Sequence, residues 1–400
     1  MRYSIIRKVL NIRLVASSLM LTSVYLLSSS NTCLAAIQGP CSDCHTMHDS
    51  QNNTAMAFDN SGPYDQLLKG DCFGCHAIAG AADALYNTGI TDTIPQVLHV
   101  GANDLAGGNF AYITGDKGAG GDAMGHNIVG LGGMGADGIL DVPPGQIRLN
   151  THYDSPGVVE SDVMSCTSQY STGTKGCHGV RSYSFGGDPI EGVQGAHHDN
   201  SEGALNPSGD WKPGHGYRFL VNVTGYEDSQ WEYTVNSTTH NEYFALSSPI
   251  NINNCNICHV SPGGVQAING TMSQFCATCH GNFHTLYNTF GSGPDNEGIG
   301  TNAVSPFLRH PTDLTIPNAT EYQFYTTYNP QAPPARTSAP GVVSDVVQPG
   351  TDAVMCLSCH VAHASPYPDM LRWDYTQIIA GGGGADDTGC FVCHTLKDGT

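Results

Sequence analysis

Past its first residues the chain shows almost no sustained alternation of apolar and polar positions, and the exception is informative. Arg2, Arg7, Lys8 and Arg13 precede an apolar stretch from Leu14 to Leu27, followed by small residues at Cys33, Leu34, Ala35 and Ala36. A basic head, a short apolar run and a small-residue exit predict a secretory signal over residues 1–36, cut near Ala36. The run is too short and too broken by serine to serve well as a membrane anchor, and no later stretch reads as an integral membrane span. Ser30-Asn31-Thr32-Cys33 lacks the aliphatic residue of a lipoprotein signal. Beyond Ala36, weak strand patterns over Tyr217–Val223 and Trp231–Val235 predict one small hairpin. Gly101–Gly145 holds 14 glycines in 45 residues and reads as loop that can approach other groups closely. Pro330–Pro340 and Gly381–Gly384 read as irregular connections. The expected fold is mostly irregular, with short helices and minimal strand, and residues 37–400 form a single domain.

Composition sharpens this picture. With 49 Gly, 22 Pro and only 12% charged residues, such a chain struggles to build an apolar core from side chains alone. Something else must fill the interior. Removing residues 1–36 leaves 11 basic against 35 acidic residues, a balance of −24. That surface argues against nucleic acid and anionic membranes, and for basic, cationic or mineral partners.

The cysteines supply the missing filler. Of 15, Cys33 lies in the predicted signal, and the other fourteen form seven pairs, each with histidine directly after its second member. They are Cys41/Cys44-His45, Cys72/Cys75-His76, Cys166/Cys177-His178, Cys255/Cys258-His259, Cys276/Cys279-His280, Cys356/Cys359-His360 and Cys390/Cys393-His394. Six have the spacing C-x-x-C-H, the attachment signature of c-type haem. Two thiols must reach two vinyl groups on one porphyrin edge while the adjacent histidine turns to the iron. One turn of backbone does this. Zinc sites, redox pairs and disulfides leave the adjacency of histidine to the second cysteine unexplained. The third pair holds ten residues between its cysteines. Thr167–Gly176 is rich in Ser, Thr and Gly and can loop out without moving either thiol, the alternative being a disulfide-closed loop with no haem. About seven covalent haems are expected, with the chain wound round them as a multihaem cytochrome c.

Seven of the 18 histidines are proximal iron ligands by position, and eleven remain. His48, His99, His126, His197, His198, His240, His284, His310 and His363 are the candidates for the opposite face, with at most one of the adjacent His197 and His198 on a given iron. His152 and His215 read as ordinary surface residues. His48 and His363 follow a proximal histidine by three residues and His284 by four, so on a helical turn each shares a face with it. The porphyrin blocks such a residue from its own iron's far side. Each is therefore expected on a neighbouring haem, drawing cofactors together in stacked or edge-on pairs.

Cys41-Ser-Asp-Cys-His-Thr-Met-His48, Gly125-His-Asn-Ile128, Leu308-Arg-His-Pro311 and Cys356-Leu-Ser-Cys-His-Val-Ala-His-Ala364 resemble segments of the extracellular multihaem cytochromes of metal-reducing bacteria, including those that polymerise into conductive filaments. The resemblance implies bis-histidine haems, little regular secondary structure, export to the outer surface or beyond, and electron delivery to metal oxides, electrodes or partner cytochromes. In filament-forming members the histidine matching His48 completes a haem in the next subunit. This chain departs from their hexahaem pattern in haem number and in the expanded Cys166/Cys177 motif. An electron carrier in the periplasm or outside the cell is therefore expected. The rival is a multihaem oxidoreductase acting on a small nitrogen compound, which needs one five-coordinate iron, whereas here spare histidines are plentiful and every motif ends in histidine.

Overall fold

The computed structural model describes residues 40–48, 50–51, 54–55, 63, 67–69, 72–78, 82–87, 93–128, 130–131, 144, 164–166, 168–169, 175–178, 180–181, 220, 223–248, 269–277, 279–280, 283, 310–381 and 388–397. All of them belong to the compact unit Ile37–Thr400. The fold is mostly irregular. Among the described residues the longest helix is Met272–Ala277, and the strands form six two-stranded ladders with no larger sheet. No helix of the described residues is long and apolar enough to cross a membrane.

Helical turns mark the attachment motifs. Cys72–His76 and Cys390–Cys393 are single α-turns, Cys41–Asp43 and Cys356–Ser358 are 3-10 turns, and Cys276 lies at the end of Met272–Ala277. Each turn is too short to be stable by itself, since helix nucleation is unfavourable. They are held by what surrounds them. Gly389 opens the last turn at φ 57°, where a Cβ would stand 2.7 Å from Trp373 Nε1, so both backbone sign and space demand glycine.

Among the described residues the apolar side chains gather in three small clusters, and each abuts attachment cysteines. One gathers Leu220, Val223, Tyr243, Met272, Phe275, Met355 and Leu357 against Cys177, Cys276 and Cys279. Another gathers Phe73, Phe110, Ile113, Ile128 and Leu131 against Cys166. The third gathers Ile316, Tyr325, Tyr328 and Val347 against Cys393.

The predicted hairpin is displaced. Trp231–Val235 is no strand: Trp231 and Glu232 have φ of 55° and 65°, which breaks an extended run, and the carboxylate of Asp228 accepts the N–H groups of Gln230 and Glu232. Of Tyr217–Val223, only Leu220 and Val223 are described, and neither is in a strand. The ladder forms instead between Gly225–Tyr226 and Glu242–Tyr243, antiparallel, with Asp228 capping the turn between them. Alternating apolar side chains were a poor guide because the local polar bonds of Asp228 and Asn241 set the backbone here.

Within the glycine-rich segment, Ala111–Thr114 makes one helical turn and Asp122–Met124 a 3-10 turn. The rest, through Ile128, wraps the loop at His363 and Ala364. A Cβ at Gly125 would lie 2.4 Å from the His363 carbonyl oxygen and 2.5 Å from Ala364 Cβ. The glycines there provide close backbone approach.

Candidate haem-ligand histidines

The smallest repeated unit is a hydrogen bond. In the 41–45, 276–280, 356–360 and 390–394 motifs the backbone N–H of the histidine donates to the carbonyl of the first cysteine, at 2.7, 3.0, 3.1 and 2.9 Å. This bond closes the turn and brings the two cysteines and the ring to one side.

The expanded motif makes the same bond. Met164–Ser165 runs parallel to Lys175–Gly176, and Ser168–Gln169 parallel to Val180–Arg181, so the strand segments flanking Cys166 and Cys177 lie side by side. The His178 N–H then donates to the Cys166 carbonyl at 2.9 Å, with both cysteines as thiols. Ten intervening residues leave the closure of the turn unchanged.

Ring orientation is controlled from Nδ1. A metal-ligating histidine characteristically donates its other N–H to a carbonyl or carboxylate, which fixes the tautomer and turns Nε2 outward. Nδ1 lies against the carbonyl of Leu67 at His45 (3.0 Å), of Pro95 at His76 (2.7 Å), of Pro144 at His280 (2.6 Å) and of Asp369 at His360 (2.7 Å). His394 donates instead to the Glu321 carboxylate at 2.6 Å. Three candidates for the opposite face share the pattern: His126 on Ala362 (2.7 Å), His240 on Asn236 (2.9 Å) and His310 on Pro311 (3.0 Å).

These rings meet in pairs. The His126 and His280 centroids are 6.1 Å apart, those of His310 and His394 6.3 Å, and those of His178 and His363 5.9 Å. Two imidazoles bonded through Nε2 to opposite faces of one metal, at about 2 Å each, have centroids roughly 6.3 Å apart. The spacing fits an iron between the rings. Each pair joins a histidine of an attachment motif to one from outside that motif. His363 stands opposite His178, far along the chain, and not opposite the His360 three residues before it. Burial keeps the rings neutral: His363 is lowered to about 3 and His280 to about 4, in both cases by desolvation first and by neighbouring histidines second. His126 and His310 are also lowered, chiefly by burial. Neutral imidazole is the form a metal binds.

The remaining candidates sit differently. His48 is exposed, with a left-handed backbone at φ 56°. His99 is buried and turned the other way: its Nδ1 accepts the Gly101 N–H at 3.1 Å, and Nε2 faces Asp104 at 3.5 Å with no hydrogen bond. His240 has both nitrogens engaged, Nε2 lying 3.2 Å from Glu242, and its ring stacks on Tyr328. One whole attachment motif, expected at Cys255, Cys258 and His259, lies outside the described residues. So do the candidate ligands His197, His198 and His284, and the surface histidines His152 and His215.

The motifs themselves are neighbours. The Cys44 and Cys75 thiols lie next to each other, as do those of Cys276 and Cys356. Cys177 lies near Cys279, and Cys359 near Cys390 and Cys393. Between the 72–76 and 166–178 motifs, Phe73 meets Phe110 edge-on at 6.0 Å and Phe110 stacks on His363 at 4.8 Å.

Residues 348–399, which contain the last two motifs, match a family model described as a doubled CXXCH motif. Over 375 residues the chain is 26% identical to the C-type cytochrome OmcS of Geobacter sulfurreducens, covering 84% of this chain and 78% of the relative. The chain resembles the filament-forming multihaem cytochromes. Two solved structures of OmcS from the same organism were matched, one described as an outer membrane cytochrome S filament and one as nanowires. The first has a TM-score of 0.37 and 21% identity over 92% of each chain. The second has 0.38 and 21% over 91% of this chain and 93% of its own. The likeness to OmcS extends well beyond the doubled motif at the C-terminal end.

Three further residues carry site geometry that sequence reasoning passed over. Glu321 was one of 35 acidic residues with nothing to single it out. Pro144 and Ala362 act only through backbone carbonyls, which a sequence does not distinguish.

Proposed function

We propose that this chain is an exported electron carrier with seven covalently bound c-type haems and no catalytic site, and that its irons are bis-histidine. When bound, haem supplies one-electron exchange between ferric and ferrous iron. The cysteine pairs hold it, Cys255 and Cys258 among them, and the histidine after each second cysteine ligates one face. His280 and His126, His394 and His310, and His178 and His363 are the ligand pairs for three of them. The observation that carries the reading is the repeated separation of about 6 Å between paired rings, four of the six held from Nδ1. His45, His76, His259 and His360 take their partners from His48, His99, His197 or His198, His240 and His284.

Bis-histidine iron has no open position for a substrate, so the chain's residues act by holding cofactors near one another and by shielding them. The neighbouring thiols order the motifs as 41–45 beside 72–76, and 166–178 beside 276–280, then 356–360, then 390–394. Phe110 and His363 bridge the two runs. The electrons leave for metal oxides, electrodes or partner cytochromes. The exposed His48 ligates a haem of the next copy, making the assembly a filament.

The test is the intact mass of the secreted protein with its low-temperature EPR spectrum. Seven haem increments, a first residue just after Ala36 and only low-spin signals are expected. Six increments would remove the expanded motif from the set, and a high-spin ferric signal would restore the oxidoreductase reading. His48→Ala should keep the haem mass while changing one haem's ligation and abolishing filaments; unchanged spectra and filaments would remove His48 from the assembly.

A further inference from the structure

Eight described histidines have Nδ1 against an oxygen, and seven of those oxygens are backbone carbonyls: Leu67, Pro95, Asn236, Ala362, Pro144, Pro311 and Asp369. The eighth is Oε1 of Glu321, 2.6 Å from His394. A carboxylate acceptor draws the ring proton more strongly than an amide carbonyl, raises the basicity of Nε2 and strengthens its donation to a bound metal. The backbone of Glu321 is tied to the same turn. The Glu321 carbonyl accepts the Thr395 hydroxyl at 2.7 Å, and the nearest cation, Lys397 Nζ, is 3.7 Å away on an exposed side chain.

The adjacent motif has a neutral acceptor, with both an anion and a cation near it, the Asp369 carboxylate and the Arg372 guanidinium. His360 rests on a neutral carbonyl, while the Arg372 guanidinium donates through Nε to the carbonyls of Leu357 at 2.7 Å and His360 at 3.2 Å. Cys359 and the pair Cys390 and Cys393 are electrostatic neighbours, so haems held on the two motifs would be adjacent in the chain of cofactors.

We propose that Glu321 is a positioning residue that makes the haem on Cys390/Cys393 the low-potential member of this pair, and so biases electron flow from it towards the haem on Cys356/Cys359. This rests on the haem reading above. More electron density on the ligand would favour the ferric state of the C-terminal haem, whereas His360 has only an amide carbonyl to draw its ring proton. In the transfer one electron leaves the C-terminal haem, which is oxidised, and its neighbour is reduced. The His394 proton stays on Nδ1 and no atom moves.

The experiment compares secreted wild-type and Glu321→Gln proteins with equal haem mass, by stepwise potentiometric titration in the visible band and by EPR. Gln keeps an oxygen acceptor at the same reach and removes the charge. Exchange of an outer partner of this kind is worth about tenfold or more at the metal. One electron equivalent at the low-potential end is expected to move up by about tenfold in its reduction equilibrium, ~59 mV for one electron, with one altered low-spin EPR signal. Superimposable titrations would overturn the proposal. So would loss of a haem or of its low-spin signal in the variant, which would make Glu321 only a prop for the ring. A wild-type mass without haem would instead fail the function reading before the comparison begins.

Discussion

Arg336 is the test of how the loop-rich chain holds a motif in place. Its five N–H groups are fully used: Nε and Nη2 donate to Glu242 at 2.7 and 2.9 Å, Nη1 to Asp352 at 2.7 Å, and the remaining two to the carbonyls of Val346 and Ser344. Glu242 and Asp352 are buried, so the guanidinium sits between carboxylates shielded from water. The network ties the Gly225–Tyr243 ladder to the segment leading into Cys356, where Ala335 pairs with Ala353 and the Arg336 N–H donates to Tyr243. Arg336→Met leaves two buried carboxylates without their guanidinium. Removing one partner of such a network costs about 3–5 kcal/mol. Restoring neutrality with Glu242→Gln and Asp352→Asn keeps oxygen acceptors for the Ser344 and Gln348 N–H groups and should recover at least half of that loss. Guanidinium unfolding of the three proteins, followed by circular dichroism in the haem band, measures this. If the single variant loses under about 1 kcal/mol, or the triple variant is as unstable as the single, the buried charges do not organise this region.

Deleting residues 167–174 converts the expanded motif to Cys-Lys-Gly-Cys-His, and intact mass should show the full haem complement, because the His178 to Cys166 bond already closes the turn. One haem fewer would mean that the excursion is needed for attachment. His363→Ala should convert one haem to high spin, and in a Cys166→Ala/Cys177→Ala background it should produce no such signal, since His363 faces His178 and not His360. A high-spin signal that persists in that background would assign His363 elsewhere. Gly125→Ala places a methyl group against the His363 carbonyl and should cost about 1–3 kcal/mol in the same unfolding assay. An unchanged midpoint would show that the loop moves aside freely.

The attachment motifs were legible because their chemistry is local. Five consecutive residues must close one turn, and spacing records that directly. The excursion at Cys166 and Cys177 was legible for the same reason, since the second half of the motif keeps Cys177 and His178 adjacent. Which rings face each other was not legible. His126 and His280 come together through carbonyls of Ala362 and Pro144 that any residue at those positions supplies equally well. Stoichiometry suggested that spare histidines are ligands as a group, yet His99 and His240 are held unlike His126 and His310, and only packing separates them. The hairpin was misplaced because propensity counted aromatic and β-branched residues where Asp228 and Asn241 bend the backbone. Lack of periodicity, which at first reads as lack of information, was the most reliable fold signal in the chain.

The pairing of His178 with His363 also sets an order of events in time. If the chain is exported from its N-terminus, Cys166, Cys177 and His178 emerge long before residue 363, with more than half of its length still to follow. Until His363 itself has crossed, the face of a haem on that motif which His363 would cover stands open to water, oxygen or a foreign ligand. On the proposed ligation, completion of the middle of the molecule would therefore wait on a residue near its end, and a product truncated before His363 would carry an open site where the whole one is closed.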